Sequence, residues 1–197
     1  VKDKSHADLL VDIAKANEDF LFHAPDQVAD VKIKMAKHHE VWPLRTKTYK
    51  RLLAQRFHET LDKAPGGQAL NDALNVLEGN ALFKGPERDV HVRLAEFDGV
   101  TYLDLCNDQW EAVRIDAEDW KVVADPPVYL RRPPGVSWLP HPARDGNIQE
   151  LRDFIPVEDA DWLLLIGHTI GALKPHGAYA VLELLGQQGS ARQPPRA

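Results

Sequence analysis

The sequence predicts an α+β fold, and three patterns carry that prediction. Apolar residues recur at helical spacing through much of residues 5–78, alternate with polar ones from about 87 to 130, and return to helical spacing after 147. The reading gives four segments. Residues 1–85 are a helical accessory region with a small hairpin, 86–130 a β-rich region, 131–146 a proline-rich connector and 147–197 a closing helix-and-strand fragment.

Taken in order, Leu9, Leu10, Ile13 and Ala14 fall on one helical stripe within 5–17, and Ser5 with Asp8 three positions later reads as a capping box. The stretch FLFHAPDQVADVKIKMAKHHEVWPL alternates through Val31, Ile33 and Met35, predicting a hairpin or meander that turns near His38 and His39 and exposes Lys32, Lys34 and Lys37. Thr46 or Thr48 caps a second helix to about Leu61, with Tyr49, Leu52, Leu53, Phe57 and Leu61 inward. A third helix spans 68–78 with Leu70, Leu74 and Leu77 inward and Gly79 as its C-terminal cap.

The period then changes to two. HVRLAEF and VTYLDLC flank Asp98-Gly99, the strongest hairpin signal in the chain. Further strands are expected at 110–115 and 120–123, followed by an extended segment from Val128. Prolines at 126, 127, 133, 134, 140 and 142 exclude a central strand or helix there, so this stretch reads as a connector laid over a surface. Asn147 caps a short helix, residues 158–173 form an almost wholly apolar one stopped by Pro175 and Gly177, and 179–185 form a strand leading into the glycine loop GQQGSA.

Composition bounds the function. With 24 basic against 30 acidic side chains the net charge is -6, so any nucleic-acid surface is local. A single cysteine, Cys106, provides no internal disulfide or cysteine-based zinc site, which fits a reducing cytoplasm, and no apolar run reaches the roughly 18 residues of a membrane span. Cys106 is expected as a small core residue on its strand.

Candidate sites follow from residue type. The segment WPLRTKTYKRLLAQRF holds Arg45, Lys47, Lys50, Arg51 and Arg56 with Trp42, Tyr49 and Phe57 between them, a combination that can grip phosphates and stack on bases; the alternative is a solvated amphipathic helix. Arg131 and Arg132 are expected to pair within the fold, with Asp104, Asp108 or Asp125. His23, His38, His39 and His58 lack metal-ligand spacing, so no metal is expected. The glycine loop is either the start of a P-loop phosphate site or an ordinary turn. Counted from Gly186, Ala191, Arg192 and Gln193 stand where that motif has glycine, lysine and a hydroxyl residue.

Six phrases, WPLRTKTYKRLLAQRF, QALNDALNVLEG, VHVRLAEFDGVTYLDL, QWEAVRI, WKVVADPPVYLRRPPGVSWLP and YAVLELLGQQGSA, together resemble one family in ordered sequence over roughly residues 8–191. It comprises ATP-binding proteins of phages and mobile elements related to plasmid and phage primase-helicases. The resemblance implies an accessory region ahead of a P-loop motor, acting in DNA replication, with 147–197 as the start of the motor domain. It implies ATP and magnesium as cofactors of an intact relative and a phosphate loop at Gly186, Gly189, Ser190, Ala191 and Arg192. Here Arg192 and Gln193 replace lysine and hydroxyl, and Pro194 with Pro195 forbids the following helix. The switch to RQPPRA is expected of a frameshifted or truncated gene, so no cofactor and no ATP hydrolysis are expected of this chain. Expected partners are single-stranded or forked DNA, and the missing ATPase domain or a second copy; no membrane is expected. The alternative is a protein-interaction or oligomerisation module without a nucleic-acid role.

Overall fold

Ser5 accepts a hydrogen bond from the Asp8 backbone N–H while the Asp8 carboxylate accepts one from the Ser5 N–H, and this capping box starts α1 (His6–Ala16). The structure is a computed structural model; it describes residues 4–155 and 157–183, in two compact units, Val1–Leu139 and Pro140–Ala197. Among the described residues it is a mixed α+β protein with antiparallel sheets, one short parallel strand pair and two isolated parallel bridges.

In the first unit, α1 is followed by an antiparallel meander of β1 (Phe20–His23), β2 (Ala29–Lys34) and β3 (His39–Pro43), with β2 in the middle. Period two gives each face a separate role. Val31 and Ile33 join Leu10, Leu53, Phe57 and Leu77 in the core, whereas Asp30, Lys32 and Lys34 belong to the opposite face. Helices α2 (Lys47–Leu61) and α3 (Gly67–Phe83) complete this layer. Tyr49, Leu53 and Phe57, four residues apart, are fully buried, and each contributes about 1.5–3 kcal/mol of burial.

The expected stop of α3 at Gly79 is overturned. The helix continues four residues to Phe83 and is capped by the Lys84 N–H bonding to the Asn80 carbonyl. The glycine that matters is Gly85, where an added Cβ would lie 2.5 Å from the Ala81 carbonyl oxygen and 2.9 Å from that of Leu21. The chain turns against β1 at a distance only glycine permits.

The β-rich part is an antiparallel meander of β5 (Leu94–Phe97), β6 (Val100–Asp104), β7 (Glu111–Ile115) and β8 (Trp120–Ala124), preceded by the two-residue β4 (Val90–His91). Asp98 (φ 53°) and Gly99 (φ 73°) both occupy the left-handed region, as a two-residue hairpin requires. The expected single strand 91–97 is broken at Arg93, whose φ is 70°. Cys106 is also displaced from expectation. It lies past the end of β6 with φ 52°, half-buried rather than in the core.

The proline-flanked segment contains β9 (Tyr129–Leu130), which pairs in parallel with β4; Arg131 bridges to Val41 of β3. Leu130 enters the core of the β5–β8 sheet while Tyr129 packs on Phe22 of β1 at 4.7 Å between ring centroids. The start of the expected connector is therefore an internal strap of the first unit.

In the second unit, Asn147 caps a 3-10 helix (Ile148–Asp153), and α4 (Asp159–Gly171) follows. Only Trp162 and Leu165 of α4 are buried, while Leu163, Leu164 and Ile170 are exposed. The strand expected over 179–185 is absent across 179–183, because the described residues of this unit include no strand that could pair with it. Residues 184 and 185 lie outside the described residues, as do Gly186, Gly189, Ser190, Ala191 and Arg192 of the glycine loop. No helix among the described residues is long and apolar enough to cross a membrane.

Candidate nucleic-acid interface

Thr46 caps α2 by accepting from the Tyr49 N–H, and the helix then places the five basic candidates in different environments. Arg45 is committed to α3: its guanidinium donates to both Glu78 carboxylate oxygens and to Asn75 Oδ1 at 2.6 Å. The hydrogen bond from Arg45 holds the Glu78 carboxyl below its usual range.

Arg56 is committed more deeply. Its guanidinium donates to both oxygens of Asp19 at 2.9 Å, and the Tyr49 hydroxyl donates to the same carboxylate at 2.9 Å. The Asp19 side chain is fully buried. Burial pushes its carboxyl above the ordinary value, against the opposing pull of Arg56, and also pushes the Tyr49 hydroxyl upward. A buried carboxylate with three such bonds ties α2 to the loop before β1.

Lys47, Lys50 and Arg51 remain. Lys50 donates to Asn71 Oδ1 at 2.8 Å, a neutral partner that leaves its charge uncompensated. Lys47 and Arg51 are exposed, one turn apart, and make no ion pair among the described residues. The first turn of α2 contains no acidic residue. Cations at a helix N-terminus oppose the helix dipole, so this placement costs stability while concentrating positive charge beside free backbone N–H groups.

Arg131 and Arg132 pair within the fold, as expected, although only one partner was anticipated. Arg132 donates to both oxygens of Asp104, at 2.9 and 2.6 Å, and to the Asn107 carbonyl, with its guanidinium 3.9 Å from the Trp110 ring centroid. Asp104 also accepts from the Cys106 N–H, and burial with this carboxylate pushes the Cys106 thiol up to about 11. Arg131 instead reaches back 101 residues to the fully buried Asp30 at 2.5 Å, a pairing for which no local pattern gives a signal. The histidines are dispersed. His38 bonds Glu40 at 2.9 Å, His39 Nδ1 lies 2.9 Å from Asp125 but off the hydrogen-bond direction, His23 faces the Ala24 carbonyl, and His58 is exposed near the end of α2.

Sequence reasoning also passed over the second face of the meander as a site. Phe20 opposes Lys32, Lys34 opposes His39, and these four side chains with Glu18 and Tyr129 line a hollow of about 280 Å³. The alternation that exposed Lys32 and Lys34 was the available signal.

Comparison of the chain with family models, with curated proteins and with solved structures finds no match.

Proposed function

We propose that this chain is an accessory, nucleic-acid-contacting region of a mobile-element replication ATPase, and that its contact lies at the start of α2. The observation that carries this reading is the group Lys47, Lys50 and Arg51: three cations without a carboxylate partner among the described residues, the first of them at the start of α2 where the helix dipole disfavours a cation. Arg45 and Arg56 leave the original set because their charges are already matched by Glu78 and Asp19. Three phosphate contacts to a single strand give a slope of log affinity against log salt of about -2. Fluorescence anisotropy of a labelled single-stranded oligonucleotide at two salt concentrations tests this. Binding that weakens with that slope, and is lost in the Lys47→Glu/Arg51→Glu variant, is the expected result; no binding at low salt refutes it.

A second reading is favoured by a separate observation. Leu163, Leu164 and Ile170 of α4 are each more than 60% exposed, and an apolar surface of that kind is an association surface. In that case light scattering reports concentration-dependent oligomers at any salt concentration, and Leu163→Glu/Leu164→Glu abolishes them. A monomer at every concentration rules it out.

A further inference from the structure

We infer that the hollow between β1, β2 and Tyr129 is a stacking site for one unpaired base, so that the nucleic acid held is single-stranded; this rests on the proposed contact at α2. The argument starts from the two faces of the central strand. Val31 and Ile33 are sealed against helices, whereas the face carrying Phe20, Phe22, Asp30, Lys32 and Lys34 is only partly covered by the strap. Tyr129 covers Phe22 and has the Lys32 ammonium 5.8 Å from its ring centroid, and Arg131 covers Asp30. Phe20 is left 40% exposed, its ring 5.8 Å from that of Phe22 and nearly parallel to it.

The hollow beside this ring, about 280 Å³, is just below the ~300–1,000 Å³ of small-molecule sites, so it admits a single heterocycle. Its walls supply a ring to stack on and cations for the adjoining phosphate. Lys32 is partly matched by Asp125 at 3.4 Å and Glu18 is the acid on the wall, which leaves Lys34, exposed and without an ion pair among the described residues. Stacking rather than charge must therefore supply the affinity. A second hollow of about 320 Å³ also borders Tyr129, but there Asp89 and Glu96 face Arg88, and the acidic excess disfavours a phosphate.

The stacking hollow is linked to α2 through the loop before β1. Its wall residue Glu18 precedes Asp19, the carboxylate that holds Tyr49 and Arg56 of α2. Duplex DNA keeps its bases stacked inside and cannot use such a shelf.

The test is a titration of the full chain with labelled oligothymidylate, an abasic strand of the same length, and a duplex. The wild type is expected to prefer oligothymidylate to both others. Phe20→Ala should weaken oligothymidylate binding on the order of tenfold, leave abasic-strand binding unchanged and leave the salt slope unchanged. Phe20→Leu, which keeps apolar area at a half-exposed position, should show the same loss if Phe20→Ala misfolds. Equal affinity of wild type and folded Phe20 variants for oligothymidylate overturns the inference while leaving the α2 contact intact, which Lys47→Glu/Arg51→Glu tests independently. Loss with the Phe20 variants alone would retain the stacking site and remove the α2 contact. No binding of any strand removes both.

Discussion

Replacing Arg56 by Met separates the two kinds of cation in the basic segment. The Asp19 side chain is fully buried and Arg56 supplies two of its three hydrogen bonds at 2.9 Å, leaving only the Tyr49 hydroxyl after the substitution. Removing one partner of a buried ion pair costs about 3–5 kcal/mol, since the other charge stays buried without compensation. For a unit of this size, that is a fall in melting temperature of roughly 10–20 °C. Charge reversal at Lys47 and Arg51 should do the opposite. Exposed substitutions stay within about 0.5 kcal/mol, and an acid in the first turn of α2 gains about 0.3–1 kcal/mol from the helix dipole. Thermal unfolding followed by circular dichroism, with oligonucleotide titration of the same samples, checks both. An Arg56→Met protein as stable as wild type that has lost DNA affinity would refute the division into structural and free cations.

Three further outcomes are expected. Arg132→Met alone should destabilise by about 3–5 kcal/mol, whereas the Asp104→Leu/Arg132→Met pair should cost less than either single change, as denaturant unfolding of the four proteins would measure. Gly79→Ala in the interior of α3, where nothing lies within 4 Å of the added carbon, should stabilise by about 0.5–1 kcal/mol, while Gly85→Ala should destabilise because the new carbon meets backbone at 2.5 Å; melting temperatures moving in the same direction would contradict this. Burial holds Asp19 and Asp30 above their ordinary values, so their contribution is complete below the unfolded value and is lost as pH rises through the folded one; relative to Asp19→Asn/Asp30→Asn, wild type should gain stability on acidification through the window just above the ordinary value of about 3.9. Asp116, held low by the Asp119 and Glu118 N–H groups, should give the opposite slope against Asp116→Asn, and matching slopes in the two comparisons would be incompatible with these assignments.

What could be read in the sequence was what is decided locally. The Ser5–Asp8 box, the Thr46 cap and the Asp98-Gly99 turn each involve residues at most three apart, and all three form as expected. Gly79 and Gly85 show where local reading runs out. Both are glycines near a helix end, and what separates them is the approach of β1, over 50 residues upstream. The strand expected at 179–185 rested on an apolar run, and across its described residues 179–183 it has no pairing strand among the described residues of its unit. Within the basic segment the limit is the same as at Gly79: which cations are free depends on Asp19, Asn71 and Glu78, which lie 21–37 residues away in sequence.

The strap 128–132 commits two further arginines inside the fold. Three arginines of the first unit each end on a buried aspartate: Arg56 on Asp19, Arg131 on Asp30 and Arg132 on Asp104. Two of these three arginines are consecutive and point to different sheets, Arg131 to β2 and Arg132 to β6, so one short segment fastens the helix-backed meander to the β5–β8 sheet. Buried ion pairs add little net stability, but a mispaired alternative would leave a carboxylate buried without a partner, a penalty that favours a single register of the strap. The same register sets how far the strap covers the β1–β2 face. Tyr129 lies on Phe22 because Arg131 must reach Asp30, and Phe20 is left open as a consequence.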